Sequence, residues 1–324
     1  MSLHKVIYDT DPGVDDAMAL LFQVRHPDIE LLGVTSVFGN GTIETTTRNA
    51  LYLTGQFAPH VPVARGAGAP LVREAPGPLP FIHGHNGVGD IPVPADDALG
   101  GKLDPRPAHR FIIDTVRAHP GEVTLVAVGP MTNLTLALAE DPEIAGLVRQ
   151  VVIMGGAFGY HGILGNVSPA SEANIFNDPH AADQVFNAAW PLAIVGLDVT
   201  ERTIMSAAYL AELRDAGGSD GQFLWDVSRV YHAFHLKSEG LDGIFVHDSS
   251  AVAYLVRPDL YTTRSGPVRV LTEGLAIGQT IQKPAGMPVP NAAWDDRPAM
   301  TVCIDVDAPG MLELYRATIV HRSA

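Results

Sequence analysis

The chain is short of several things whose scarcity narrows what it can be. Its 324 residues hold one cysteine, Cys303, which excludes an internal disulfide framework and a cysteine-rich zinc site and points to a reducing compartment. Lysine is nearly as rare, with only Lys5, Lys102, Lys237 and Lys283, so few side chains can serve chemistry that needs an amine. No apolar run approaches the roughly 20 residues of a membrane span. The first residues, Met1-Ser2-Leu3-His4, lead straight into Lys5-Val6-Ile7-Tyr8 without a stretch of signal-peptide type, and the expected compartment is the cytoplasm. Positive charge is also scarce: Lys+Arg 21 against Asp+Glu 36 leaves a formal net charge of −15. A surface that negative repels phosphate backbones and anionic lipid, which makes nucleic acid and membranes poor partners and leaves neutral ligands and cations.

What is present is ample apolar material for a buried core. Hydrophobic residues make up 46% of the chain and mean hydropathy is +0.13, which excludes a disordered chain or a small stapled scaffold. β-rich apolar runs at 6–9, 31–37, 61–64, 123–128, 151–154 and 192–197 alternate with stretches of helical period at 16–25, 44–54, 108–118, 131–139 and 179–188. That alternation predicts an α/β fold with a mainly parallel sheet covered on both faces. Beyond residue 206 the pattern is helical to about 255, then β-rich at 268–271 and 300–306. With no internal repeat and no low-complexity linker, the expectation is a single domain over 1–324 with a helical elaboration in its C-terminal part. The Pro/Gly-rich stretch 66–105 is too long for an ordinary connection and reads as a functional loop or flap over the strand ends. A second glycine-rich segment runs from 155 to 172.

The sharpest motif is Asp9-Thr10-Asp11-Pro12-Gly13-Val14-Asp15-Asp16-Ala17, between the first predicted strand and the first predicted helix. Its carboxylates converge at the carboxyl end of a strand, where open α/β sheets bind ligands. Capping accounts for one or two of them: Asp15 suits an N-cap, and Asp16 in the first turn suits the helix dipole. Packing the others so closely costs Coulomb energy unless a cation compensates. Oxygen-only ligands indicate Ca2+ or Mg2+ rather than zinc.

Further ligands have candidate sources elsewhere. In Phe245-Val246-His247-Asp248-Ser249-Ser250, Asp248 is either an N-cap or a distant ligand. The predicted strand ending at Val128 runs into Gly129-Pro130-Met131-Thr132-Asn133, a turn where a carbonyl could point outward. Asn166-Val167-Ser168-Pro169-Ala170-Ser171-Glu172-Ala173-Asn174 and Phe38-Gly39-Asn40-Gly41-Thr42 read either as hydrogen-bonding segments for sugar hydroxyls or as ordinary polar loops. His83, in His83-Gly84-His85-Asn86-Gly87, is a flap histidine that is either solvated or functional.

Together these segments resemble the inosine–uridine-preferring nucleoside hydrolase family, in the family's order from Asp9 to about Tyr254. The resemblance implies a Rossmann-like fold and a bound Ca2+ held by Asp11, Asp16, Asp248 and the main-chain carbonyl of Val128. It implies ribose contacts from Asp15, Asn40, Asn166, Glu172 and Asn174, with Asp11 as base for the attacking water, His247 as leaving-group acid and His83 near the nucleobase. It also implies a homotetramer or homodimer. Two positions depart from the protozoal pattern: Ala173 stands where some members carry Phe, and Ser249 replaces the usual Pro after His-Asp. Stacking on the base is therefore expected from elsewhere, with Tyr231 or Phe234 as candidates.

The implied chemistry is hydrolysis of the N-glycosidic bond of purine or pyrimidine ribonucleosides. Its transition state carries positive charge on the ribose and negative charge on the departing base, which suits a carboxylate-rich pocket with a proton donor on the leaving side. Two rivals share features. A phosphohydrolase of the haloacid-dehalogenase type also begins strand–Asp-x-Asp, but Lys102 and Lys237 are badly placed to neutralise a phosphate. A non-catalytic, calcium-dependent nucleoside- or sugar-binding protein would share every ligand, and only turnover separates it.

Overall fold

The computed structural model describes residues 3–75, 77–284, 286–287 and 290–320. Its strands are β1 (His4–Thr10), β2 (Ile29–Ser36), β3 (Pro62–Arg65), β4 (Lys102–Asp104), β5 (Val123–Ala127), β6 (Gln150–Met154) and β7 (Leu192–Val195). They are followed by β8 (Ile204–Ser206), β9 (Gly243–Phe245), β10 (Tyr261–Gly266), β11 (Val268–Val270), β12 (Thr280–Gln282) and β13 (Met300–Val306).

Strand β1 is buried on both faces: Val6 and Tyr8 belong to the core on one side and Ile7 to the core on the other. Such two-sided burial is what places a strand inside a helix-covered parallel sheet. Nine strands form that sheet in the order β10-β13-β7-β6-β5-β1-β2-β3-β4, and among these pairs only β10 with β13 is antiparallel. The chain builds outward from β1 through β2 and β3 to β4, then crosses back to β5 on the other side. Strand order therefore reverses between β1 and β5, and the crevice beyond their carboxyl ends is the topological switch point where such sheets bind ligands. The ladder closes tightly there, with the Val128 N–H donating to the Asp9 carbonyl at 2.8 Å and the Val37 N–H to the Thr10 carbonyl at 3.0 Å.

The helix after β1, Val14–Arg25, buries Val14, Ala17, Met18, Leu20, Leu21 and Phe22. It packs against the helices Asp248–Val256 and Ala308–Val320, and the Tyr315 hydroxyl donates to its Met18 carbonyl at 3.1 Å. This packing brings the two distant acidic segments to one end of the sheet. The capping roles differ from those anticipated. Gly13, not Asp15, is the N-cap of the first helix, and the Asp16 carboxylate accepts the Gly13 N–H at 2.8 Å. His247 holds the cap position of the helix Asp248–Val256, so Asp248 is its first residue and not its cap. Neither Asp15 nor Asp248 is therefore the N-cap of its helix.

The expected elements from β1 to β7 recur with ends moved by a few residues. The segment after 206 folds as the helices Ala207–Ala216, Gly218–Val227 and Arg229–Glu239, with β8 and β9 paired beside them. The long 66–105 stretch contains the short helix Pro80–His83 and returns to the sheet edge as β4. Its root is fastened by Asp178, which is fully buried. That carboxylate accepts the Leu71 N–H at 3.0 Å, the Thr132 hydroxyl at 2.7 Å and the Ala181 N–H at 3.0 Å, the last as N-cap of the helix Pro179–Val185. Asp178→Ala removes all three bonds and leaves buried donors unpaired, so it should cost about 2–4 kcal/mol in urea unfolding; a loss within experimental error would show that the flap root is held by other contacts.

Candidate active site

Where β1 ends, the chain must turn within three residues into the first helix, and the turn is organised by Asp16. Its carboxylate accepts the Thr10 hydroxyl, the Gly13 N–H and, at 3.0 Å, the Asn40 side-chain amide. Asp11 is held from the neighbouring loop, accepting the Asn40 N–H on Oδ2 at 2.7 Å, while its Oδ1 is buried with no partner. Glycine makes that carboxylate possible. A Cβ at Gly39 would sit 1.9 Å from Asp11 Oδ2 and one at Gly129 2.6 Å from Oδ1.

Across the crevice the helix Asp248–Val256 presents Asp248, and ligand oxygens of Asp15, Asp16 and Asp248 all lie within 4.8 Å of one another. Burial, reinforced by neighbouring carboxylates, pushes Asp11 and Asp248 well above the usual carboxylate range. Asp15 is pushed up to about 8, by burial and then by Asp16, and its Oδ1 is a second buried oxygen without a partner. Burial also raises Asp16, against the opposing bonds from Thr10 and Gly13. Among the described residues, no Lys or Arg lines the adjoining cavity. Converging buried carboxylates with two orphaned oxygens, and no Lys or Arg lining the cavity among the described residues, are a set that could hold a hard divalent ion. Asp9 stands apart from this group. Its Oδ1 takes the Thr35 hydroxyl and, at 2.8 Å, the Asn133 amide, and burial pushes it up to about 7.

The cavity is lined by Asp15, Asn40, His83, Val128, Asn166, Glu172, Asn174, His247 and Asp248, so the structure gathers most of the anticipated residues on one surface. Several already have protein partners. Asn174 donates to the Val128 carbonyl, the oxygen expected as a ligand, at 2.9 Å, and both residues line the cavity. Glu172 caps the helix Ala173–Asn177 and also accepts the Gly156 N–H at 2.9 Å. Asn166 accepts the Ala173 N–H at 3.1 Å. His83 is buried, not solvated. Its Nδ1 accepts the Val14 N–H at 3.2 Å and lies 3.9 Å from Asp15 Oδ1, and burial pushes it down to about 4. Burial, and then His235 and His83, push His247 down to about 3.

The far end of the cavity is aromatic and acidic. Tyr231 and Phe234, the anticipated stacking candidates, both line it, and the Tyr231 ring stacks on His83 at 5.6 Å. Glu201, His235, Glu239 and Phe245 also line it and were not anticipated. A periodic signal was available for two of these, His235 and Glu239. Tyr231, His235 and Glu239 recur every four residues on the helix Arg229–Glu239 and therefore share a face. Glu201 carries no such signal. It lies just past the turn Leu197–Thr200 that follows β7, and burial, then Glu239, pushes it up to about 7.

Comparison with known proteins places the chain in a family. The model of the inosine-uridine preferring nucleoside hydrolase family matches residues 6–313. Uridine nucleosidase 1 of Arabidopsis thaliana is 40% identical over 319 residues, covering 98% of this chain and 93% of that protein. Among solved structures, the plant nucleoside hydrolase PpNRh1 superposes with a TM-score of 0.92 at 34% identity, covering 98% of this chain and 99% of that one. A purine-preferring ribonucleoside hydrolase from Gardnerella vaginalis does so at 0.88 and 35%, covering 98% of each chain. With its fold and nearly its whole length in common with these proteins, and the family model matching residues 6–313, the chain belongs to the inosine-uridine preferring nucleoside hydrolase family.

Proposed function

We propose that the chain hydrolyses the N-glycosidic bond of ribonucleosides in a calcium-dependent reaction, with Asp11 as the base and His247 as donor to the leaving nucleobase. The observation that carries this reading is the group of unneutralised carboxylates at the switch point, of which Asp15 and Asp248 line the same cavity as His247. Asp11, Asp15, Asp16 and Asp248, with the Val128 carbonyl, are the residues that would hold the ion. Calcium bound there would supply a hard Lewis acid that orients ribose hydroxyls and makes a neighbouring water easier to deprotonate.

The chain's own residues do the rest. Asp11, whose buried Oδ1 has no protein partner, would take the proton of an attacking water. Asp15, Asn40, Asn166, Glu172 and Asn174 offer acceptors and amide donors for the ribose hydroxyls, and their negative field favours a ribosyl cation over the neutral nucleoside. Burial keeps His247 neutral, so it serves as a donor whose hydrogen bond strengthens as negative charge grows on the departing base. Overall the water's hydroxyl goes to C1′ and its proton ends on the base. Tyr231 and Phe234 supply ring faces for that base, with Phe245 beside them. The phosphohydrolase reading finds no support: Lys102 lies on the edge strand β4, Lys237 is exposed, and neither lines the cavity.

Asp11→Ala should lower release of reducing sugar from inosine and uridine by about 10²-fold or more. His247→Ala should cost more on inosine than on an activated aryl riboside; equal losses on both would remove the histidine from the leaving side. Calcium has a separate signature in stability. Without it, folded Asp15 keeps its proton up to about pH 8, whereas the unfolded chain releases it near its ordinary 3.8, so stability falls as pH rises toward 8. His83 and His247, with pKa values lowered from 6.5, give the opposite slope only below that value. The Tm of chelator-treated protein should therefore fall between pH 6.5 and 8, and added calcium should raise it more at pH 8. A Tm indifferent to calcium at both values would count against the ion.

A further inference from the structure

Three histidines line the cavity, and each has a different partner at Nδ1. His83 accepts the Val14 N–H there, so its ring proton is on Nε2. His235 Nδ1 lies 2.9 Å from the Tyr231 carbonyl, which can only accept, so its ring proton is on Nδ1 and Nε2 is a lone pair. His247 Nδ1 lies 2.8 Å from Thr200 Oγ1, a hydroxyl able to give or take a proton.

The surroundings of Thr200 settle the direction. The residue is fully buried, and among the described residues its hydroxyl has no hydrogen-bond partner other than His247. A buried hydroxyl gives its proton to the acceptor within reach, and that acceptor is His247 Nδ1. The ring proton of His247 is then on Nε2, an atom that makes no hydrogen bond to any described residue. The turn that carries Thr200 is itself braced, because Asp198 within it accepts the Phe158 N–H at 2.8 Å and the Tyr160 N–H at 2.7 Å. We infer that Thr200 is a positioning residue of the hydrolytic reaction, holding the His247 ring in the orientation and tautomer that leave Nε2–H available to the departing base. The inference deepens the proposed function and rests on it. A main-chain carbonyl in place of Thr200, like the one His235 has, would turn a lone pair toward the base and oppose its departure.

Two variants and one spectrum test this. Thr200→Val keeps the shape and deletes the donor, and Thr200→Ser keeps the donor. In the valine variant kcat for inosine and uridine should fall about 10–100-fold with KM nearly unchanged, while hydrolysis of a 4-nitrophenyl riboside, whose leaving group needs no donor, should stay within about twofold. The serine variant should recover most of the loss. Independently of turnover, 15N shifts of the imidazole nitrogens should report the Nε2–H tautomer for His247 in the wild type and a mixture in Thr200→Val. Equal losses on both substrates, an unaffected valine variant, or an Nδ1–H tautomer in the wild type would each overturn the role. If the wild type cleaves no nucleoside, the proposed function fails on that result alone, and the nitrogen shifts still decide the tautomer.

Discussion

Carboxylates forced together away from water are the constraint around which this molecule is arranged. At separations up to 4.8 Å, each charged pair repels by about 3 kcal/mol or more even at an effective dielectric of about 20. The chain accepts that repulsion at the one place where the sheet offers a crevice, beyond β1 and β5. Its structural carboxylates behave differently: Asp178 is satisfied by three donors, and Asp183 is paired with Arg269 at 2.8 Å. The contrast is with Asp11 and Asp15, each of which keeps a buried oxygen without a partner, while Asp16 both organises the turn after β1 and faces Asp15 and Asp248.

Much of this was legible in the residues. The alternation of apolar runs and helical stretches located the parallel strands because such strands are buried on both faces and read as continuous hydrophobic runs. The run from Asp9 to Asp16 exposed the acidic end of the cavity because four carboxylates in so short a span exceed what capping can use. Fine assignments within the run were less accessible. Asp15 and Asp16 are both good candidates for a helix start, and only the turn geometry shows Gly13 as the cap with Asp16 reaching back to it. Asp9 looks like a further member of the acidic group, yet Thr35 and Asn133, remote in sequence, hold its carboxylate.

The remaining misses have a common cause. Strand β10 has a largely polar, half-exposed sequence, Tyr261-Thr262-Thr263-Arg264-Ser265-Gly266, and owes its conformation to pairing with β13 along the sheet edge. Strand β4 has three residues and exists because β3 is there to receive it. Glu201, Phe245 and the tie between Thr200 and His247 come from segments brought together only by tertiary packing. Local pattern carries information about elements that stabilise themselves or bury a face, and little about those whose partner is elsewhere in the chain.

The placement of Tyr231, His235 and Glu239 along one face of a single helix has a consequence for how such an enzyme changes over time. The acidic end of the cavity is built by β1, the loops after β2 and β5, and a distant helix, so altering it disturbs several elements at once. The aromatic end, where the proposed function seats the nucleobase, is written largely on one helix outside the central sheet. Substitutions every fourth residue there would reshape that end of the cavity while the sheet and the acidic crevice are inherited intact, within the limit that Tyr231 and His235 are buried and can be exchanged only for side chains that still pack.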